Sequence, residues 1–288
     1  MPMSQNWADN TAEKLIDAGL FQSGICLILG ASDTGKTTLA EALTKRLAPG
    51  QPVGIVDADI GQSHIGPPTT VGWALADSHR RDFSQLSAAG IAFVGNVTPI
   101  GHLLQLNAAI VQCANQALNA AELIIIDTLG FINGPAACAL WWTVQRLLNP
   151  KLIIAVQRET ELMDILAGLP PSGSQLELIK CPPQIRNKSP DERRNYRQGE
   201  FNKYFRDSTL YNIKLSDVAV QTHQDLSRAK LASCVVALRN RQGADVAVGL
   251  VKDWQQDKNI AVIRAPQIDM QEVGCIIIGD VTVEITDG

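Results

Sequence analysis

The chain has 288 residues, 45% hydrophobic and 19% charged, with a formal net charge of −4. That suits a globular protein of one large domain, or one domain with a small appendage, and it counts mildly against a nucleic-acid binder without excluding one that uses a local basic patch. Six scattered cysteines with no CxxC pair exclude a zinc ribbon or a disulfide framework and point to a reduced, cytoplasmic protein.

Met1–Asn10 has no positive region and no apolar run, so no signal peptide is expected there. No later apolar stretch is long enough to span a bilayer, so no membrane role is expected. Ile25–Leu29 reads as a strand entering a glycine-rich turn, and Thr37–Leu47 as the helix that leaves it. Val53–Val56 and Ile91–Val94 read as strands, with Gly66-Pro67-Pro68 as a break between them. Leu103–Asn119 is a helix, Leu123–Ile126 a strand, Ala136–Leu148 a helix and Leu152–Val156 a strand. Trp141 and Trp142 are expected in the core, and Cys26 and Cys275 as buried thiols. Pro170–Gly173 and Cys181–Pro183 bracket a strand at Leu176–Ile179, and Arg186–Phe205 is a basic, helical excursion. Continuous apolar strands alternating with helices predict an α/β fold, a P-loop NTPase parallel sheet covered by helices on both faces. From about Leu226 the pattern changes to short β-type runs at Val235–Leu238, Val246–Leu250, Ile260–Ile263 and Cys275–Ile278. The expected division is therefore a kinase-type domain over residues 1–225, with a lid near 186–206, and a small β-rich domain over 226–288.

Gly30-Ala31-Ser32-Asp33-Thr34-Gly35-Lys36-Thr37 fits G-x-x-x-x-G-K-[ST] in full. Its glycines let backbone N–H groups turn inward to cradle an anion, and the helix that starts there adds its dipole. Gly30, Ser32, Asp33, Thr34, Gly35, Lys36, Thr37 and Thr38 are the expected nucleotide-binding residues, for ATP with Mg²⁺. Lys36 reaches the β- and γ-phosphates and the Thr37 hydroxyl ligates the metal. Val53–Val56 ends in Asp57 and Asp59, which share a face if the strand stays extended. One of the two suits the metal shell and the other a general base, with a simple turn cap as the alternative. Asp127 follows the strand Leu123–Ile126 and is a second candidate for the metal shell. Asp127-Thr128-Leu129-Gly130 is also D-x-x-G, as in GTPase switches, yet the one Asn-Lys pair, Asn187-Lys188, continues Ser189-Pro190 and makes no guanine motif.

Together these features resemble the polynucleotide 5′-hydroxyl kinase family, which includes the kinases of pre-mRNA cleavage, tRNA splicing and rRNA processing and shorter prokaryotic relatives. The P-loop, the D-x-D-x-G-Q element at Asp57, Asp59, Gly61 and Gln62, and the run Phe93–Pro99 carry the likeness. Thr128-Leu129-Gly130-Phe131 resembles the family's T-x-G-W clasp, with Phe131 at the tryptophan position, and Arg186–Arg197 resembles its arginine lid. Leu231–Ile285 is similar to its C-terminal domain, and the large N-terminal β domain of eukaryotic members is lacking. The resemblance implies transfer of the ATP γ-phosphate to the 5′-OH of single-stranded or end-exposed RNA or DNA. It implies Asp59 as base, Gln62 positioning substrate or a metal-bound water, Thr128 and Gly130 clasping phosphates or Lys36, and Phe131 stacking on the terminal base. Among the lid arginines, Arg193 and Arg197 share a helix face and suit a transferring phosphoryl group, with a solvated basic helix as the alternative. His64, His79, His102 and His223 are isolated, and His64 is the one nearest the expected substrate. The competing readings are a GTPase or ATPase switch or metallochaperone without nucleic-acid substrate, a non-catalytic nucleotide-binding scaffold, and a small-molecule kinase.

Overall fold

The computed structural model describes residues 3–169, 173–222 and 231–285. The chain opens with helix α1 (Met3–Asp17), then runs β1 (Gly24–Gly30), α2 (Lys36–Leu47), β2 (Val53–Asp57), β3 (Thr70–Ala76), β4 (Gly90–Phe93) and α3 (Leu103–Leu118). It continues through β5 (Leu123–Asp127), α4 (Pro135–Leu148), β6 (Leu152–Gln157), α5 (Met163–Ala167), β7 (Gln175–Lys180) and α6 (Pro190–Tyr204). The last part is β8 (Thr209–Lys214), β9 (Ala219–Gln221), β10 (Cys234–Asn240), β11 (Asp245–Gln255), β12 (Ile260–Ala265) and β13 (Val273–Thr282).

The five strands β7-β6-β1-β5-β2 are mutually parallel, as continuous apolar strands between helices require. Alternation splits their side chains between two cores. Ile25, Leu27, Leu29, Ile124 and Ile126 face α3 and α4, while Cys26, Ile28, Leu123 and Ile125 face α1 and α2. Helices thus cover both faces of the sheet. Beyond β2 the sheet departs from a purely parallel plan: β3 pairs antiparallel with β2, and β4 antiparallel with β3. Sequence pattern did not reveal β3, because Gly72 interrupts it and Gly66-Pro67-Pro68 precedes it. Helix α1 was equally hidden, since it buries only small or isolated residues such as Ala8, Ala12 and Leu15.

Two core expectations diverge. Trp141 is fully buried, but Trp142 is 38% exposed and lies along α5, with its Nε1 donating to Ile165 O at 2.8 Å. All six cysteines are free and buried. No helix among the described residues is long and apolar enough to cross a membrane.

The C-terminal strands form an antiparallel set, β13-β10-β11-β12-β8, with β9 parallel to β13. Strands β8 and β9 precede residue 226 and already belong to this set; Leu226 and His223 lie outside the described residues. The set joins the main sheet through β11 and β4, at Asp245 opposite Ile91. Asp245 makes that joint. Its buried carboxylate takes Arg239 Nε at 2.7 Å and Nη2 at 3.1 Å, and also accepts Phe93 N–H at 2.8 Å. Removing one partner of a buried pair costs several kcal/mol, because the other is left desolvated. Arg239 is partly exposed, so Asp245→Ala should lower unfolding free energy by about 2–3 kcal/mol in urea denaturation, below the fully buried range. The Arg239→Met, Asp245→Ala double variant should recover part of that loss. A loss under about 0.5 kcal/mol for the single variant would mean the joint is held elsewhere.

Candidate active site

Strand β1 delivers the chain to Gly30 at the sheet's carboxyl edge, and the loop turns at once into α2. The turn needs small residues. A Cβ on Gly30 would lie 2.5 Å from Val156 O, and Gly35 sits at φ +90° with Ile185 and Trp7 at 2.9 and 3.0 Å from its would-be Cβ. Asp33 adopts φ 56°, a region few non-glycine residues enter. Thr34 Oγ1 donates to Ala31 O at 2.9 Å, and Lys36 Nζ to the same carbonyl at 2.7 Å. Lys36 is 6% exposed. Burial pushes its pKa down, while the carboxylates of Asp127, Asp59 and Asp33 push it back up.

A cleft of about 620 Å³ opens over this loop. Ser32, Asp33, Thr34, Gly35, Lys36, Thr37 and Thr38 line one side, Asp59, Gln62 and His64 another, and Gln184, Ile185, Arg186 and Lys188 a third. The expected nucleotide loop, base candidate and Gln62 therefore meet in one place.

The three aspartates have different surroundings. Strand β2 stops at Asp57, so the extension that would align Asp57 with Asp59 does not persist. Asp57 is buried. Its Oδ1 accepts Asp59 N–H at 3.0 Å, and its Oδ2 accepts the N–H groups of His64 at 2.5 Å and Ile65 at 3.0 Å. The carboxylate thereby folds the loop that follows it. Asp59 is half-buried, and its Oδ1 accepts Gly61 N–H at 3.0 Å and Gln62 N–H at 2.9 Å. Its Oδ2 accepts nothing among the described residues. Asp127 is 1% exposed and takes the Thr37 hydroxyl on Oδ2 at 2.6 Å. Its Oδ1 is buried with no hydrogen-bond partner.

The remaining expected residues divide. Gly130 packs directly on the phosphate loop, since a Cβ there would lie 2.2 Å from Ser32 Oγ and 2.3 Å from Ser32 N. Thr128 turns inward, its hydroxyl donating to Ile28 O at 2.6 Å beneath the loop rather than to Lys36. Phe131 is half-buried and packs against the α3–α4 core, while its carbonyl accepts Trp141 Nε1–H at 2.7 Å. Helix α6 is a real helix with a Ser189–Glu192 capping box. From it Arg193 reaches the phosphate loop and pairs with Asp33 at 2.5 Å. Arg197 is half-buried without an ion-pair partner among the described residues; burial and Arg194 push its pKa down, against Asp59.

Asp33 is the residue whose importance sequence reasoning understated. Its carboxylate takes Arg193 and the Lys188 N–H, and its carbonyl takes Arg158 Nη2 at 2.7 Å. Arg158 also bonds Ile185 O and Asn187 Oδ1, so Asn187-Lys188 is spent on loop-to-lid contacts rather than on a base. A variable position of the P-loop motif gave no signal for this.

Comparison with known proteins agrees with the geometry. The family model described as mRNA cleavage and polyadenylation factor CLP1 P-loop matches residues 30–207. A polyribonucleotide 5′-hydroxyl-kinase of Pyrococcus abyssi is 34% identical over 195 residues, 67% of this chain and 54% of the relative. Kinases of the same name from Pyrococcus horikoshii and Methanocaldococcus jannaschii are 30% and 31% identical over 73% and 67% of this chain, and 56% and 54% of their own length. The chain thus spans about half the length of the curated relatives it matches. A solved structure of the wild-type Clp1p–Pcf11p complex shares the fold, with TM-score 0.73 at 12% identity over 97% of this chain and 79% of that one. A second structure of Pcf11p with Clp1p gives TM-score 0.74 at 11% identity with the same coverage.

Asp57 and Asp127 stand opposite each other on adjacent strands. Burial pushes both carboxyls up to about 7; at Asp57 backbone N–H groups oppose this while the charge of Asp59 adds to it, and at Asp127 the charge of Asp57 adds to it while Lys36 and Thr37 oppose it. A folded pKa above the unfolded value of ~3.9 favours the folded state below that value, and the gain disappears as pH rises through the folded pKa. Metal-free protein should therefore lose stability between about pH 4 and pH 7, read by urea denaturation. Asp127→Asn should flatten the decline, and an unchanged slope in that variant would show that Asp127 does not carry it.

Proposed function

This chain belongs to the CLP1 P-loop family, and from that premise we propose that it is an ATP-dependent polynucleotide 5′-hydroxyl kinase. It moves the γ-phosphate of ATP to the 5′-OH of single-stranded or end-exposed RNA or DNA. One observation carries this reading: a complete phosphate loop and a rigid carboxylate with a free oxygen, Asp59, border the same cleft. A switch GTPase or metallochaperone has no need of that carboxylate, and the family favours neither.

The roles follow from the surroundings of each group. The backbone of residues 30–37 and Lys36 hold the donor phosphates. Lys36 leaves Ala31 O for phosphate oxygens, which restore the charge that burial disfavours. Asp59 Oδ2 accepts the proton of the 5′-hydroxyl as its oxygen bonds to the γ-phosphorus. The bond from that phosphorus to the β–γ bridging oxygen breaks and ADP leaves. Two backbone N–H groups on Oδ1 keep the carboxylate aimed, so little reorganisation accompanies the step.

The residues present fit Mg²⁺. Asp127 has an orphaned buried oxygen beside the Thr37 hydroxyl. Among the described residues no cluster of three acidic, histidine or cysteine groups could hold a metal. One carboxylate and one hydroxyl, completed by phosphates and water, is the habit of Mg²⁺. Mg²⁺, when bound, neutralises charge on the β- and γ-phosphates. Asp57 shapes the loop that carries Asp59 and Gln62. Arg193 and Arg197 act from the lid, Arg193 exchanging Asp33 for a phosphoryl oxygen as transfer proceeds. The six free, buried thiols support a cytoplasmic reading.

Incubation with γ-labelled ATP and 5′-hydroxyl oligonucleotides tests the activity, and absence of label on every oligonucleotide refutes it. Within that assay, Asp59→Asn keeps the shape, so nucleotide binding should persist while kcat falls by about 10²–10⁴-fold. Asp127→Asn should instead raise the Mg²⁺ requirement, with partial recovery in excess Mg²⁺. Recovery of Asp59→Asn by Mg²⁺, with none for Asp127→Asn, would reverse the two roles.

Neutralising Arg193 and Arg197 together should lower kcat much more than ATP affinity, because their charges act mainly on the transferring group. Undiminished turnover would return α6 to a solvated basic helix.

A further inference from the structure

The helices on the two faces of the sheet differ in charge. Helices α1, α2 and α6 each mix acids and bases, whereas α3 has neither and α4 has Arg146 alone. Between Asp82 and Arg146 the only Asp, Glu, Lys or Arg residues are Glu122 and Asp127. Asp127 is buried in the nucleotide site, which leaves Glu122, beyond the end of α3. A helix face turned to water normally carries its charged side chains there. On these two helices it carries leucines instead: Leu104 is 81% exposed, Leu147 is 54% exposed, and Leu118 is exposed as well.

The connections put α3 and α4 side by side. Strand β4 is parallel to β2 by two antiparallel steps, so α3 leads from one parallel strand to another, as α4 does between β5 and β6. The two helices therefore run the same way over one core. Between them lies a groove of about 680 Å³, whose lining includes Ala108, Val111, Ala139 and Leu140 and no charged side chain. Leu104, in the first turn of α3, and Leu147, in the last turn of α4, stand at its two ends. None of the residues lining this groove lines the nucleotide cleft.

We propose that the α3–α4 face pairs with the same face of a second copy of the chain, forming a two-fold dimer. The lack of charge selects this occupant. Two-fold pairing sets a surface against itself, so a charge near the axis would meet its own copy and be repelled. A face without charge escapes that penalty, and a partner recognised by charge would find nothing here to hold. Surfaces that bind an unlike partner transiently are about as apolar as ordinary protein surface, whereas homodimer faces are richer in apolar area. The shape is self-complementary too. Small side chains at Ala108 and Ala139 open the groove and exposed leucines flank it, so each copy offers both knobs and a hole. At 1.5 Å per residue α3 and α4 are about 24 and 21 Å long and together about 20 Å across, so each face covers roughly 400–500 Å². Two such faces approach the ~1,000 Å² that a specific pairing needs and fall well short of a permanent interface. The dimer is therefore one that forms in the micromolar range and leaves both clefts open.

Sedimentation equilibrium of the whole chain over about 1–100 µM tests this, with a rise from monomer to dimer mass expected across that range. Leu104→Glu and Leu147→Glu each place two unpaired carboxylates in the pairing face, and each should weaken the dimer by at least about ten-fold. Both side chains are exposed in the monomer, so the circular dichroism of the variants should match that of the wild type. Leu178→Glu alters a leucine equally exposed on β7, away from the groove, and should leave the dimer intact. A wild type that stays monomeric throughout overturns the proposal. So does a dimer that survives both glutamate variants, or one that only Leu178→Glu dissociates. If the glutamate variants fail to fold, amide hydrogen exchange of the wild type decides. Slower exchange in α3 and α4 at high concentration than at low supports the dimer, and equal exchange at both overturns it.

Discussion

The parallel pairing of β5 with both β1 and β2 is the constraint on which the site depends. Its register sets Ile28 of β1 and Asp57 of β2 opposite Asp127. The phosphate loop springs from β1 two residues later, so three chain segments end at one edge of the sheet. Backbone N–H groups and two strand-end carboxylates are thereby concentrated at that edge. Strands buried on both faces make this register hard to shift, because a one-residue slip would exchange the α1–α2 core for the α3–α4 core.

Desolvation then gives each charge its character. Lys36 and Asp127 are both nearly water-free, and each opposes the other's tendency to become neutral. Neither is fully satisfied by protein: Lys36 borrows a loop carbonyl, and one Asp127 oxygen has no partner. Such a site is paid for by the fold and completed by a charged ligand. Asp59 is the counterpart, half-buried and open on one oxygen.

The lid and the C-terminal strands extend this frame in different ways. Asp33 links the phosphate loop to α6 and, through Lys188, to the loop of Gln62, so one carboxylate couples three elements around the cleft. Most of those contacts are ion pairs or single hydrogen bonds at a partly exposed surface, which an arriving phosphate can exchange at little cost. The C-terminal strands are joined to the main sheet by the buried Asp245–Arg239 pair and by the apolar cluster of Phe93, Phe201, Phe205 and Val248. That cluster seats the far end of α6, so the lid helix is anchored at one end and engaged with phosphate-binding groups at the other.

Local spacing alone determined the nucleotide loop, the strands and helices on either side of it, and the carboxylates available. Each of those signals spans a few residues: a glycine pattern, an apolar run, an aspartate at a strand's end. It also pointed to a basic, helical excursion over Arg186–Phe205, within which the structure places a capped helix, Pro190–Tyr204. The different surroundings of Asp57, Asp59 and Asp127 were decided only by tertiary structure. A carboxylate's role depends on which donors reach it, and those donors come from elsewhere: Ile65 N–H folding back on Asp57, and Thr37 crossing to Asp127. The inward turn of Thr128, the antiparallel β3 and the membership of β8 and β9 in the last sheet have the same origin. Each is fixed by the neighbour that covers it, and no window of sequence contains both partners.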